Sequence, residues 1–135
     1  MPAPTIEARP FTFLSTTLIQ GDRPIQATEI LVNGSPNGVS YPIVGRWQRQ
    51  VPLFYGLNDF TAQATNGFAT STIVSASVFR IMPGDVNVDR VVNDIDLSLF
   101  TRAWNKYTIF ADFNEDGKID DKDLSLLASH WGQRY

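Results

Sequence analysis

Between Asp85 and Asp123 the chain spells one short pattern of oxygen-bearing residues twice, and few folds can accommodate that repetition. The copies are DVNVDRVVNDID, from Asp85 to Asp96, and DFNEDGKIDDKD, from Asp112 to Asp123, set 27 residues apart. The agreement extends past the acids: Val92 matches Ile119, Leu97 matches Leu124, Leu99 matches Leu126 and Trp104 matches Trp131 at the same offset. One offset shared by polar and apolar positions marks an internal repeat, so the two copies are expected to fold alike.

Each copy reads as a twelve-residue calcium loop. Ca²⁺ takes six to eight oxygens, and a loop of the EF-hand type supplies them from positions 1, 3, 5, 7, 9 and 12, position 7 through its backbone carbonyl and position 9 often through a water. The first copy then offers Asp85, Asn87, Asp89, the Val91 carbonyl, Asn93 and Asp96; the second offers Asp112, Asn114, Asp116, the Lys118 carbonyl, Asp120 and Asp123. Two ions are expected. Position 12 is Asp rather than the longer Glu in both copies, which draws the exit helix toward the ion. Position 6 calls for a left-handed bend that suits glycine; Gly117 obeys, whereas Arg90 carries a strain of roughly 1–2 kcal/mol there. The competing reading is a pair of acidic surface turns, since Asp, Asn and Gly all favour turns. Six oxygen positions in register, twice over, argue for the metal.

A duplicated D-x-N-x-D loop with Asp at position 12, followed by Leu and one amphipathic helix, resembles the type I dockerin repeat. The likeness runs from about Gly84 to Gly132. It implies two loop–helix units, each an EF-hand lacking its entering helix, folded by two calcium ions and binding a cohesin module through exposed helix faces. Loop positions 10 and 11, commonly Ser-Thr in cellulosomal dockerins, are here Asp94-Ile95 and Asp121-Lys122. By analogy, Thr101, Arg102, Lys106, Ser129 and Gln133 are the candidates for the partner surface.

Upstream the texture changes. Residues 1–10 are a Pro-rich lead-in, and residues 11–82 are poor in acids and rich in Thr, Val, Ile and aromatics cut by turn residues. The strands expected are Thr12–Gln20, Gln26–Val32, Ser40–Val44, Arg46–Leu53, Asn58–Thr65 and Thr72–Ile81. Alternation such as Phe60, Ala62, Ala64 against Asp59, Thr61, Gln63 gives one buried face and one wet face. This run resembles bacterial Ig-like modules, with a V-N-G hairpin, a Trp strand and a G-x-N-x-F-x-x-x-A strand. The fold expected is therefore two small domains: an all-β Ig-like or fibronectin-like sandwich over residues 11–82, then an all-α dockerin-like pair of calcium loop–helix motifs over residues 83–135. Met82-Pro83-Gly84 is the joint, short enough to suggest a contact between the two parts.

After each loop a helix is expected, Asp96–Trp104 and Asp123–Trp131, with apolar residues spaced by three, four and seven. Neither is stable alone at that length, so the two faces should bury against each other, Trp104 and Trp131 included. Tyr107, Ile109, Phe110 and Phe113 would close that core.

Charge and composition narrow the function. Residues 1–82 carry five basic and four acidic side chains; residues 83–135 carry six and ten. The acidity thus sits in the loops, and no basic stripe invites nucleic acid. No apolar run approaches a membrane span, and no cysteine is present. His130 is the lone histidine, too little for a usual zinc site, and adjacent Ser129 points elsewhere on a helix. The reading is a non-catalytic module of an extracellular or cell-surface protein that attaches it to a cohesin-like partner. Two alternatives stay open: a calcium-rigidified structural or adhesion module of a surface or pilus-like protein, packed on its own Ig-like part, and a C-terminal appendage of a carbohydrate-active enzyme.

Overall fold

A computed structural model describes residues 1–135. Six strands come first: β1 (Phe11–Thr12), β2 (Thr16–Asp22), β3 (Glu29–Val32), β4 (Arg46–Pro52), β5 (Gly56–Thr65) and β6 (Val74–Arg80). They form a four-stranded sheet in the order β1-β6-β5-β3 and a two-stranded sheet of β2 and β4. All pairings are antiparallel except β1 with β6, where Phe11 lies beside Phe79 and Thr12 beside Arg80. Inward side chains of both sheets, among them Ile19, Ile30, Trp47, Val51, Phe60 and Val78, make one buried cluster. Trp47 is fully buried and its indole N–H donates to the Thr5 carbonyl at 3.0 Å. That bond ties the lead-in to β4, while backbone bonds from Thr5 to Asp22 and from Glu7 to Gln20 hold it against β2, where Gly21 is required: a Cβ there would sit 2.0 Å from the Thr5 oxygen.

Several expected strands shift. Ser40–Val44 is not a strand; it touches β4 through one bridge, Ser40 with Gln48, because Pro42 interrupts the run and Ile43 and Val44 stand in solvent. The run Thr12–Gln20 breaks at Phe13–Ser15, where the chain crosses from one sheet to the other. Phe13 uses that crossing to leave the sheets altogether.

Two helices follow, α1 (Asp94–Ala103) and α2 (Asp121–Ser129). They begin two residues before the sequence pattern placed them, because Asn93 and Asp120, at loop position 9, act as N-caps. Each cap side chain bonds the helix N-terminus, and the position-12 Asp answers by accepting the cap's backbone N–H, which completes a capping box.

The expectation of a sandwich followed by a separate all-α pair is overturned by the second buried cluster. It joins Phe13, Ile81 and Met82 from the strand half to Val92, Phe100, Ala103, Ala111, Phe113 and Leu127 from the loop–helix half. Phe113 stacks on Phe100 at 5.7 Å and meets Phe13 edge-on at 5.2 Å. Phe11 stacks on Phe110 at 5.3 Å, and Tyr55 leans on Tyr135 at 5.4 Å. The molecule is a mostly-β fold carrying two short helices on one end of its sheets. Physically, helices of nine or ten residues offer too little apolar surface to close a core between themselves, so the strand ends supply the rest.

The same economy corrects the aromatic assignments. Trp104 and Trp131 are not core: they are 41% and 49% exposed. Tyr107 and Ile109 are also exposed and Phe110 lies at the surface, so of the four crossing-segment residues expected in the core only Phe113 is enclosed. Gly84 closes the joint. Its φ is +103°, and a Cβ would press on Val92 at 2.9 Å and on the α2 backbone at Leu127 at 3.1 Å.

Candidate metal centre

Nine hydrogen bonds build the first loop, and the same nine recur in the second at the 27-residue offset. Asp85 accepts the N–H of Asp89 at 3.0 Å and of Arg90 at 2.9 Å; Asp112 accepts those of Asp116 at 3.1 Å and Gly117 at 2.9 Å. Asp96 takes the N–H of Val86 at 2.8 Å and of Asn93 at 2.9 Å, and Asp123 takes those of Phe113 at 2.7 Å and Asp120 at 3.0 Å. The backbone agrees as well. Val88 and Glu115 share φ +57°, and Arg90 at +71° adopts the left-handed bend that Gly117 makes at +86°. The Arg90 guanidinium lies over the Phe79 ring at 5.5 Å.

These carboxylates are deeply placed. Asp85, Asp96 and Asp123 are fully buried and Asp112 is 2% exposed, yet none has a cationic partner, since the ion pairs of the molecule engage other acids. Burying an ionised carboxylate is costly unless a cation or a dense hydrogen-bond shell offsets it. At Asp96 the imbalance is visible: burial pushes its pKa up despite the bonds from Asn93, Asn87 and Val86, and nearby Asp85 adds to the rise. Asp116, by contrast, is held below the ordinary carboxylate range, mainly by the Asn114 amide.

The donor set fits Ca²⁺. Asp85, Asp89 and Asp96 each bring an oxygen within 4.8 Å of the others. Two ligands bound to one Ca²⁺ at 2.3–2.6 Å can stand no further apart than about 5 Å. The Val91 and Lys118 carbonyls at position 7 accept no hydrogen bond and are free to coordinate. Asn87, Asp89, Asp116 and Lys118 lie at the exposed rims of the loops, while Asn93, Asn114 and Asp120 are half-buried. The first loop gathers its three carboxylates most tightly, even though it carries the strained Arg90.

Residues outside the repeat hold each loop in place, and the sequence pattern did not single them out for this. The Tyr135 hydroxyl donates to Asp85 at 2.8 Å, and that of Tyr107 donates to Asp112 at 3.1 Å. Burial and the neighbouring Asp raise both phenol pKa values. Each tyrosine trails one helix and seals the other repeat's loop. A signal was present: Tyr107 and Tyr135 follow Trp104 and Trp131 by three and four residues, a near-repeat off by one. Glu115 reaches to the strand half, where it meets Arg9 and Thr12.

The suggested partner residues Thr101, Arg102, Lys106, Ser129 and Gln133 are all exposed. Beside them Leu97, Leu124, Leu127, Ala128 and Trp131 line an open apolar groove between the helices, of about 480 Å³. His130 is a helix cap: its Nδ1 donates to the Leu126 carbonyl at 2.8 Å.

No helix is long and apolar enough to cross a membrane. No curated protein and no solved structure matches the chain. Residues 83–130, which hold both loops and both helices, match the family model of the Dockerin type I domain. This segment is therefore similar to type I dockerins, which are calcium-binding, non-catalytic protein–protein interaction modules with cohesins as partners.

Proposed function

We propose that both loops bind Ca²⁺, one ion each, and that the loaded helix pair attaches a larger extracellular or cell-surface protein to a cohesin-like module. The observation that carries this is the duplicated shell of hydrogen bonds around four buried carboxylates that lack any counter-cation. The ligands of the first ion are Asp85, Asn87, Asp89, the Val91 carbonyl, Asn93 and Asp96; those of the second are Asp112, Asn114, Asp116, the Lys118 carbonyl, Asp120 and Asp123. Bound Ca²⁺ offsets the mutual repulsion of each acidic set, so binding free energy becomes folding free energy for the helices that follow. Partner contact falls on the exposed helix surface, where the groove of Leu97, Leu124 and Trp131 supplies apolar area and Thr101, Arg102, Lys106, Ser129 and Gln133 a polar border.

A second reading, a calcium-stiffened structural module with no cohesin, is favoured by the core shared with the strand half. One pair of experiments separates them. Ca²⁺ added to EGTA-treated protein should bind at two sites by calorimetry with a gain of helix by circular dichroism, both lost in an Asp85→Ala, Asp112→Ala double variant. Helix content that is complete in EGTA, with no heat of binding, would remove the calcium claim. Calcium-dependent capture by immobilised cohesins, weakened by Leu124→Asp, supports attachment; calcium binding without capture by any cohesin leaves the structural reading.

A further inference from the structure

The two loops differ at position 4 in a way their shared chemistry does not require. Val88 stands there in the first loop, 37% exposed; Glu115 stands there in the second, with the same φ of +57° and a half-buried side chain. Position 4 is not a ligand position. The Glu115 carboxylate instead turns out of the loop and crosses to the beginning of the strand half. It accepts from the Arg9 guanidinium at 2.6 Å, from the Thr12 hydroxyl at 2.7 Å and from the Phe13 N–H at 3.3 Å. Thr12 is fully buried in β1, and its hydroxyl is oriented because it also accepts the Leu14 N–H at 3.1 Å.

Resting on the calcium reading above, we infer that Glu115 is a positioning residue: it ties the second loop to β1, so that this link raises the calcium affinity of that loop and not of the first. Three donors converge on one carboxylate, and one of them is a guanidinium, the strong kind of hydrogen bond. Glu115 sits midway between Asn114 and Asp116, so fixing its side chain fixes the backbone between two ligands before the ion arrives. That lowers the ordering cost of binding. Arg9 also compensates a sixth acid in a loop that already holds Asp112, Asp116, Asp120, Asp121 and Asp123. Coupling of this kind is reciprocal: calcium in the second loop must in turn steady β1 and the crossing at Phe13. In the first loop Val88 provides no such link to the strands.

The test follows each loop separately in the intact chain. Amide resonances of Ile119 and Gly117 report the second loop during a Ca²⁺ titration, and those of Val92 and Arg90 report the first. Glu115→Val, which installs the first loop's residue, should weaken the second site by about tenfold, the scale of one charge-assisted bond, and leave the first within twofold. Thr12→Val changes only the strand side and should reproduce the selective loss in smaller measure. In the parent, filling the second site should slow amide exchange at Phe13, and this should vanish in Glu115→Val. Unchanged second-site affinity in both variants overturns the inference while leaving calcium binding intact. Equal weakening of both sites overturns it too, by reducing Glu115 to general stability. A parent protein that binds no calcium removes the proposed function and this inference together.

Discussion

The two loops share a hydrogen-bond pattern residue for residue, yet they are held by different parts of the chain. The first is closed from the C-terminus: the Val92 N–H donates to the Gln133 carbonyl, the Val92 carbonyl accepts from the Gly132 N–H, the Tyr135 N–H donates to the Arg90 carbonyl, and the Tyr135 hydroxyl reaches Asp85. The second is closed from the N-terminus, through Glu115 to Arg9 and Thr12 and through Phe113 to Phe13. Duplication explains why the ligand shells agree. It cannot explain the supports, because a repeat has only one copy of each flank. The lesson is that a symmetric pair of sites becomes two unequal sites once each is seated in an asymmetric fold.

The largest expected asymmetry lies beneath the loops, at position 2. Phe113 is buried against both Phe100 and Phe13, and its N–H holds Asp123 at 2.7 Å. Its counterpart Val86 is half-buried. Phe113→Ala should cost about 3–5 kcal/mol, and Val86→Ala about 1 kcal/mol, measured by denaturant unfolding in saturating calcium. Because Phe113 bridges the halves, its variant should lower the unfolding midpoint of strand and helix signals together. Separate transitions would show that the halves are energetically independent despite their common core.

That shared core marks where the sequence stopped being legible. The duplicated loop and the helix behind each copy follow from local spacing, and local spacing survives folding. Phe11, Phe13 and Tyr135 gave no such cue, because what they touch lies 50 to 100 residues away and no periodicity encodes it. Trp104 and Trp131 misled for a related reason. Their helical spacing placed them on an apolar face, but Phe13, Ile81 and Met82 fill the core from the strand side and leave that part of the face outside. Glu115 was legible in principle: it is one of the positions where the copies disagree in character, Val88 against Glu115, and such a mismatch inside a repeat points to a difference in surroundings.

A smaller effect should separate the two tyrosines. Tyr135→Phe removes a bond to a fully buried carboxylate, at about 1.5 kcal/mol, and should weaken the first site severalfold while sparing the second. Tyr107→Phe should do the reverse to a lesser degree, since Tyr107 is 59% exposed and water can replace its hydroxyl. Calcium titrations read at each loop check both. Loss of both affinities in either variant would mean that the sites communicate more strongly than their separate supports imply.

The smallest expected difference is at position 6, where the loops place Arg90 and Gly117 in the same left-handed bend. Gly117→Ala meets open space, with nothing within 4 Å of the added Cβ, so its cost is backbone strain alone, about 1 kcal/mol. Arg90→Gly removes a comparable strain but also frees the unfolded chain and withdraws the guanidinium from the Phe79 ring, an exposed contact of about 0.5–1 kcal/mol. The gain and the losses oppose, so Arg90→Gly should leave stability within about 1 kcal/mol of the parent. The contrast can be read from thermal unfolding at fixed calcium. A clear stabilisation by Arg90→Gly would mean that the Phe79 contact contributes little and that strain sets the first loop's strength. A clear destabilisation would make Arg90 the first loop's own link to the strands, and the two loops would then be supported more alike than their hydrogen bonds indicate.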